Sequence, residues 1–177
     1  MRAQTYQGNG SLPENHDKIK PLMAANKHLR VAIIGARETD EDARNFAYAV
    51  GKLLAEQGAI VYTGGAAGIM RAAGKGVRAG KGVSVGILKE TDLSQANEYV
   101  DIPVMTGMGD LRNGIIIRSV QGAIAVDGAY GTLSEIAYTL SDNKPVVAYR
   151  SWDIEGVRGV DTPEEAVDTL LSLIAEE

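Results

Sequence analysis

Ala123-Ile124-Ala125-Val126 runs directly into Asp127-Gly128-Ala129-Tyr130-Gly131-Thr132-Leu133-Ser134-Glu135. Four small or branched apolar residues in a row read as a strand buried on both faces, as in a parallel sheet. Thr132 to Ser141 reads as a helix, so the residues between form a strand-to-helix corner. Gly128 and Gly131 permit a close backbone turn there, and the unpaired N–H groups of a helix start face an anion. Thr132 adds a hydroxyl donor. The combination suits a phosphate group and needs no metal.

The same alternation extends in both directions. Val31-Ala32-Ile33-Ile34 is a strand ending at Gly35, and Arg37 just beyond it is a candidate second anion contact. Thr39 and Asp42 make a capping-box pattern ahead of an apolar stripe at Ala43, Phe46, Ala47, Val50 and Leu54, which Gly58 stops. Ala59 to Tyr62 is a second strand, followed by a glycine turn and a small-residue helix through Ala79. Val83 to Ile87 is a third. Tyr99 to Val104 reads as a fourth, pushed towards an edge by Pro103. Gly109 to Val120 reads as helix by its length, although Ile115-Ile116-Ile117 is β-branched. After the strand Pro145 to Tyr149, the last helix has Thr162 as N-cap, Pro163 at its first position and Glu165 at its third. Strands alternating with helices predict an α/β fold: a Rossmann-like parallel sheet with helices on both faces, as a single domain over 29–177. Residues 1–28, punctuated by Gly8, Gly10, Pro13 and Pro21, read as an N-terminal arm.

Composition narrows the chemistry. Glycine supplies 21 of the 177 residues without any collagen period, which points to backbone-lined loops. Cysteine is absent and the two histidines, His16 and His28, sit in the arm, so thiolate chemistry, a histidine triad and a zinc cage are excluded within the domain. A net charge of −5 argues against a nucleic-acid partner, and no apolar run matches a membrane span. No signal peptide opens the sequence, so a cytoplasmic protein is expected.

Ligands of open α/β sheets bind beyond the carboxyl ends of the strands, so the loops there carry the function. The dinucleotide fingerprint G-x-G-x-x-G is missing, and strand two lacks a terminal acidic residue for a ribose hydroxyl. Gly74-Lys75 and Gly80-Lys81 do not satisfy the Walker pattern, and no G-x-S-x-G elbow exists. Two loops remain: Gly64-Gly65-Ala66-Ala67-Gly68-Ile69-Met70 and the 127–135 corner.

These two loops resemble the Lonely Guy family, once misannotated as lysine decarboxylases. The corner is similar to that family's P-G-G-x-G-T-x-x-E signature and the first loop to its G-G-x-x-G-x-M, while Arg112 matches its motif arginine. The resemblance runs from about Arg30 to Tyr149. It implies a Rossmann-like protein, usually dimeric, that binds nucleoside 5′-monophosphates and releases free base and ribose 5-phosphate. Arg112 and Glu135 would then be catalytic, and no pyridoxal-phosphate lysine is recognisable. Gly35, Arg37, Gly64, Gly65, Gly68, Asn113, Asp127, Gly128, Ala129, Tyr130, Gly131 and Thr132 would hold the phosphate or nucleotide.

Three positions depart from the pattern: Asp127 replaces the motif proline, Ala129 the second glycine, and Asn113 the lysine after the arginine. A related branch, the molybdenum cofactor carrier proteins, shares the fold and binds a phosphate-bearing pterin without turning it over. Arg112-Asn113 is similar to that branch. The expectation is therefore a small phosphorylated ligand, no required cofactor and a homodimer or homotetramer, with molybdenum cofactor as the alternative, carried ligand. Bland roles stand beside these. Thr132 and Glu135 form a capping box on their own, Arg112 can pair with Asp110 on a solvated helix, and the glycines of the first loop can serve packing alone. Asp127 is repulsive towards phosphate unless turned away, or accepts from a sugar hydroxyl or a pterin.

Overall fold

The computed structural model describes residues 28–176, so the arm reading lies almost wholly outside the described residues. Seven parallel strands form one sheet in the order β4-β3-β2-β1-β5-β6-β7. They are β1 (Arg30–Gly35), β2 (Ile60–Thr63), β3 (Val83–Leu88), β4 (Ile102–Met105), β5 (Gly122–Val126), β6 (Val146–Tyr149) and the two-residue β7 (Arg158–Gly159). The helices are α1 (Glu41–Glu56), α2 (Ile69–Ala79), α3 (Asn113–Arg118), α4 (Tyr130–Ser141) and α5 (Pro163–Ala175).

Strand alternation sorts the core into two layers. Val31, Ile33, Val61, Ile124 and Val126 pack with Phe46 and Leu54 of α1, Val77 of α2 and Leu170 of α5. Ala32, Ile34, Ala123 and Ala125 face the other way, onto Ile116 and Ile117 of α3 and Ile136 of α4. Both sheet faces are thus covered, which is why β1 and β5 carry no polar residue between Val31 and Ile34 or along Gly122–Val126. The Rossmann-like α/β class read from the alternation is the architecture found.

Details differ where local chemistry decides them. The N-cap of α1 is Asp40, whose carboxylate accepts from the Ala43 amide at 2.9 Å; Thr39 instead donates to Asp127 Oδ2 at 2.6 Å. The segment 109–120 is not one helix. A 3-10 turn over Gly109–Arg112, begun by Gly109 at φ 55°, leads into the six-residue α3. The fourth strand starts three residues later than expected, with Pro103 on the outer edge of the sheet. Helix α5 keeps its expected start: Thr162 accepts from the Glu165 amide at 3.2 Å, while the Glu165 carboxylate reaches back to Asp161 N at 2.9 Å.

The chain leaves β1 towards β2 on one side, and β5 returns on the other. That reversal opens a crevice at the carboxyl ends of β1 and β5. Gly68 lets the β2–α2 turn close against it. Its φ of 68° and ψ of −128° suit glycine alone, and a Cβ there would stand 2.2 Å from the Arg37 carbonyl oxygen. Gly68→Ala is expected to lower stability by about 2 kcal/mol or more in urea denaturation. Gly159→Ala, on open ground at the β7 edge, is expected to change it by less than about 0.5 kcal/mol.

Candidate functional site

Helix α4 starts without a side-chain cap. Ala129 is its N-cap, and the first intrahelical bond is Leu133 N–H to Ala129 O at 3.0 Å. The amides of Tyr130, Gly131 and Thr132 are therefore left for an outside acceptor, at the positive end of the helix dipole. A cleft of about 180 Å³ lies against them, bounded by Ala129, Gly131 and Thr132 on this side and Ile34 to Arg37 at the end of β1. Gly64 and Met70 close it from the β2–α2 turn, and Lys89, Arg112, Asn113 and Glu135 complete the wall.

Two buried ionisable groups share this cleft. Arg112 is 4% exposed and Glu135 6%, and a single long contact, Nη1 to Oε1 at 3.4 Å, joins them. Arg112 Nε is buried with no hydrogen-bond partner. Burial drives the Arg112 guanidinium below its ordinary value, against the pull of Glu135 and Asp110. Burial likewise pushes the Glu135 carboxyl up to about 7, opposed by Arg112 and Lys89. An under-satisfied buried cation beside uncapped amides has the chemistry to hold an anion. Lys89 and Arg37 add charge at the rim, where Lys89 pairs with Asp110 and Arg37 donates to Gln95 Oε1 at 3.1 Å.

Both bland readings of this pair give way. Glu135 is the sixth residue of α4 rather than its third, so its carboxylate turns to Arg112 and caps nothing. Arg112 is not a solvated helix residue, because it is buried, and the carboxylate of Asp110 makes its ion pair with Lys89. Asn113 lies between them and the helix start. Its side-chain amide donates to Ser134 Oγ at 2.9 Å and to Gly131 O at 3.4 Å, holding α3 on the first turn of α4.

The corner itself is braced from outside the cleft. Asp127 sits at φ 55° with its N–H on Tyr149 O at 2.9 Å. Its carboxylate accepts from Thr39 and, through Oδ1, from the Gly128 amide at 2.7 Å, so it is turned away from the cleft. Gly128 follows at φ 149°. Tyr130 is 81% exposed, its ring tilted against Trp152 at 6.1 Å.

The structure thus brings Gly35, Arg37, Gly64, Arg112, Asn113, Ala129, Gly131, Thr132 and Glu135 to one cavity. Gly65, Gly68, Asp127, Gly128 and Tyr130 lie outside its wall. Gly65 and Gly68 take left-handed backbone at φ 70° and 68°, serving the turn. Lys89, Ile34 and Ala36 were missed, and Met70 was named only as the end of the first glycine loop. The signal for Lys89 was its place just past the third strand, the same rule that marked the other loops. Among the described residues no group of three or more His, Cys, Asp or Glu is placed to hold a metal ion, and no helix is long and apolar enough to cross a membrane.

A model of the SLOG cluster4 family matches residues 28–172. An uncharacterized protein of Archaeoglobus fulgidus is 43% identical over 148 residues, which is 82% of this chain and 97% of that protein. Among solved structures, the molybdenum cofactor binding protein of Rippkaea orientalis superposes with a TM-score of 0.80 at 28% identity, covering 85% of this chain and 99% of that one. The Moco carrier protein of Chlamydomonas reinhardtii gives a TM-score of 0.77 at 28% identity, covering 85% and 100%.

The buried carboxyl sets a pH dependence. Glu135 titrates at about 7 when folded against an ordinary 4.5, so the folded chain keeps a proton that the unfolded chain has lost in that window. Stability therefore falls as pH rises through it. Urea denaturation is expected to find the protein less stable at pH 8 than at pH 5, by on the order of 1–3 kcal/mol from this group. Glu135→Gln is expected to remove that difference.

Proposed function

We propose that this chain, which belongs to the SLOG cluster4 family, binds the phosphate end of a small ligand in the cleft beyond β1 and β5. The observation that carries the reading is Arg112, buried with its Nε unpartnered next to the uncapped first turn of α4. The amides of that turn would take two or three phosphate oxygens, and Arg112 would supply the charge-assisted bond. A cleft of about 180 Å³ is smaller than the roughly 300–1,000 Å³ of pockets that enclose a whole drug-sized molecule. It suits a phosphate with the atoms next to it, leaving the heterocycle towards the open side.

The cargo we favour is a phosphorylated pterin of the molybdenum cofactor type, carried without chemistry. The likeness to the Rippkaea and Chlamydomonas proteins over nearly their full lengths supports it. Asn113 after Arg112 and the rebuilt corner at Asp127 point the same way.

A second reading has its own observation. Glu135, its carboxyl near neutral titration, shares the cleft with Arg112. A nucleoside 5′-monophosphate bound by its phosphate could then lose its base: water adds to C1′, the N-glycosidic bond breaks, and ribose 5-phosphate and free base leave. Glu135 would take a proton from water and pass it to the departing base nitrogen while Arg112 steadied the sugar phosphate. As to assembly, we read a homodimer or homotetramer formed through the 109–120 segment and α4, where Leu111 of the 3-10 turn (72%) and Tyr138 of α4 (36%) stand exposed.

Incubation with AMP, GMP, CMP and N6-substituted AMP, followed by chromatography, separates the two readings. The carrier reading expects no free base and a raised melting temperature with a phosphorylated pterin, weakened in Arg112→Ala by about 10–100-fold in affinity. Release of base would instead establish the hydrolase, and Glu135→Gln should then cost on the order of 10²–10⁴ in rate.

A further inference from the structure

Gly64 ends the β2 corner with its backbone outside the left-handed region, unlike Gly65 and Gly68. Its lack of a side chain therefore answers to space, not to dihedral angles. A Cβ at Gly64 would stand 2.3 Å from Arg112 Nη2, 2.9 Å from Arg112 Cζ and 2.7 Å from Met70 Sδ. The guanidinium thus lies directly over bare backbone, held from another direction by the Glu135 carboxyl 3.4 Å from its Nη1. The other glycines of this turn meet something different. A Cβ at Gly68 would strike the Arg37 and Ala36 carbonyls, and one at Gly65 the Leu88 side chain and the Gly86 backbone.

We infer that Gly64 is a positioning residue for anion binding, leaving the space in which Arg112 lies flat within the cleft. This rests on the phosphate-binding reading and deepens it, since Gly64 then acts on the ligand through Arg112. The atoms a new methyl would displace are far ends of flexible side chains, and these can move without unfolding the chain. A glycine kept only for packing would behave in the opposite way, losing stability first.

The test compares wild type, Gly64→Ala, Arg112→Ala and the double variant, with AMP and inorganic phosphate as probes. Gly64→Ala is expected to melt within about 3 °C of wild type. It should bind AMP about 10–100-fold more weakly, the loss of one charge-assisted contact. In the Arg112→Ala background the same substitution should cost no further affinity, because its target is gone. An equal loss in both backgrounds, unchanged binding, or a collapse of the fold would overturn the inference. A ligand-free readout is the carbon-13 titration of the Glu135 carboxyl, whose midpoint should move in Gly64→Ala as the guanidinium shifts. If wild type binds neither probe, the phosphate-binding reading fails and the role of Gly64 in anion binding falls with it; binding in wild type that Gly64→Ala leaves intact overturns the role of Gly64 alone.

Discussion

The cleft depends on one costly arrangement, a guanidinium and a carboxyl buried together with a single contact between them. Taking two such groups out of water costs several kcal/mol each, and a 3.4 Å contact recovers only part of that. Both shift in the direction that relieves the cost, Arg112 downward and Glu135 upward. A packed pair of apolar residues would make a more stable corner. The burial of Arg112 and Glu135 at the carboxyl end of the sheet, beside unpaired amides, is the observation on which the phosphate-binding proposal stands.

Several elements converge on that pair. The 3-10 turn delivers Arg112 to the carboxyl end of the sheet, α4 delivers Glu135 from its second turn, and Asn113 locks the two elements together. On the far side, Asp127 ties the corner to β6 and, through Thr39, to the start of α1. Arg150 extends the same tie, donating to Asp40 Oδ2 at 2.6 Å. Beside the side chains of Lys89, Arg112, Asn113 and Glu135, the cleft wall thus includes the bare backbone of the α4 corner. The side chains that fix it lie behind, which keeps the cleft small and its donors in place.

The alternation of apolar runs made the sheet and its helices legible, because burial on both faces leaves strands such as Ala123–Val126 no polar positions. Boundaries were less legible where a glycine or a cap decided them. The 3-10 turn from Gly109 to Arg112 and the choice of Asp40 over Thr39 depend on partners distant in sequence. Nine of the expected site residues do line the cleft, since glycine spacing at strand ends is a local signal. The turn of Asp127 away from the cleft and the place of Lys89 in its wall were not legible for one reason: each is set by a contact across loops, Thr39 for the first and Asp110 for the second. The roles of Gly64 and Gly68 also separate only in three dimensions, where one abuts a guanidinium and the other a carbonyl.

The left-handed backbone at Asp127 constrains how this corner could have diverged. Proline is held near φ −65° and has no N–H, so it can adopt neither the dihedral found here nor the bond to Tyr149 O. A corner bearing the proline of the related motif must run along another path, one that leaves the Thr39 hydroxyl without its acceptor. Positions 39 and 127 should accordingly vary as a pair across relatives, with the hydroxyl retained only where the acid is present.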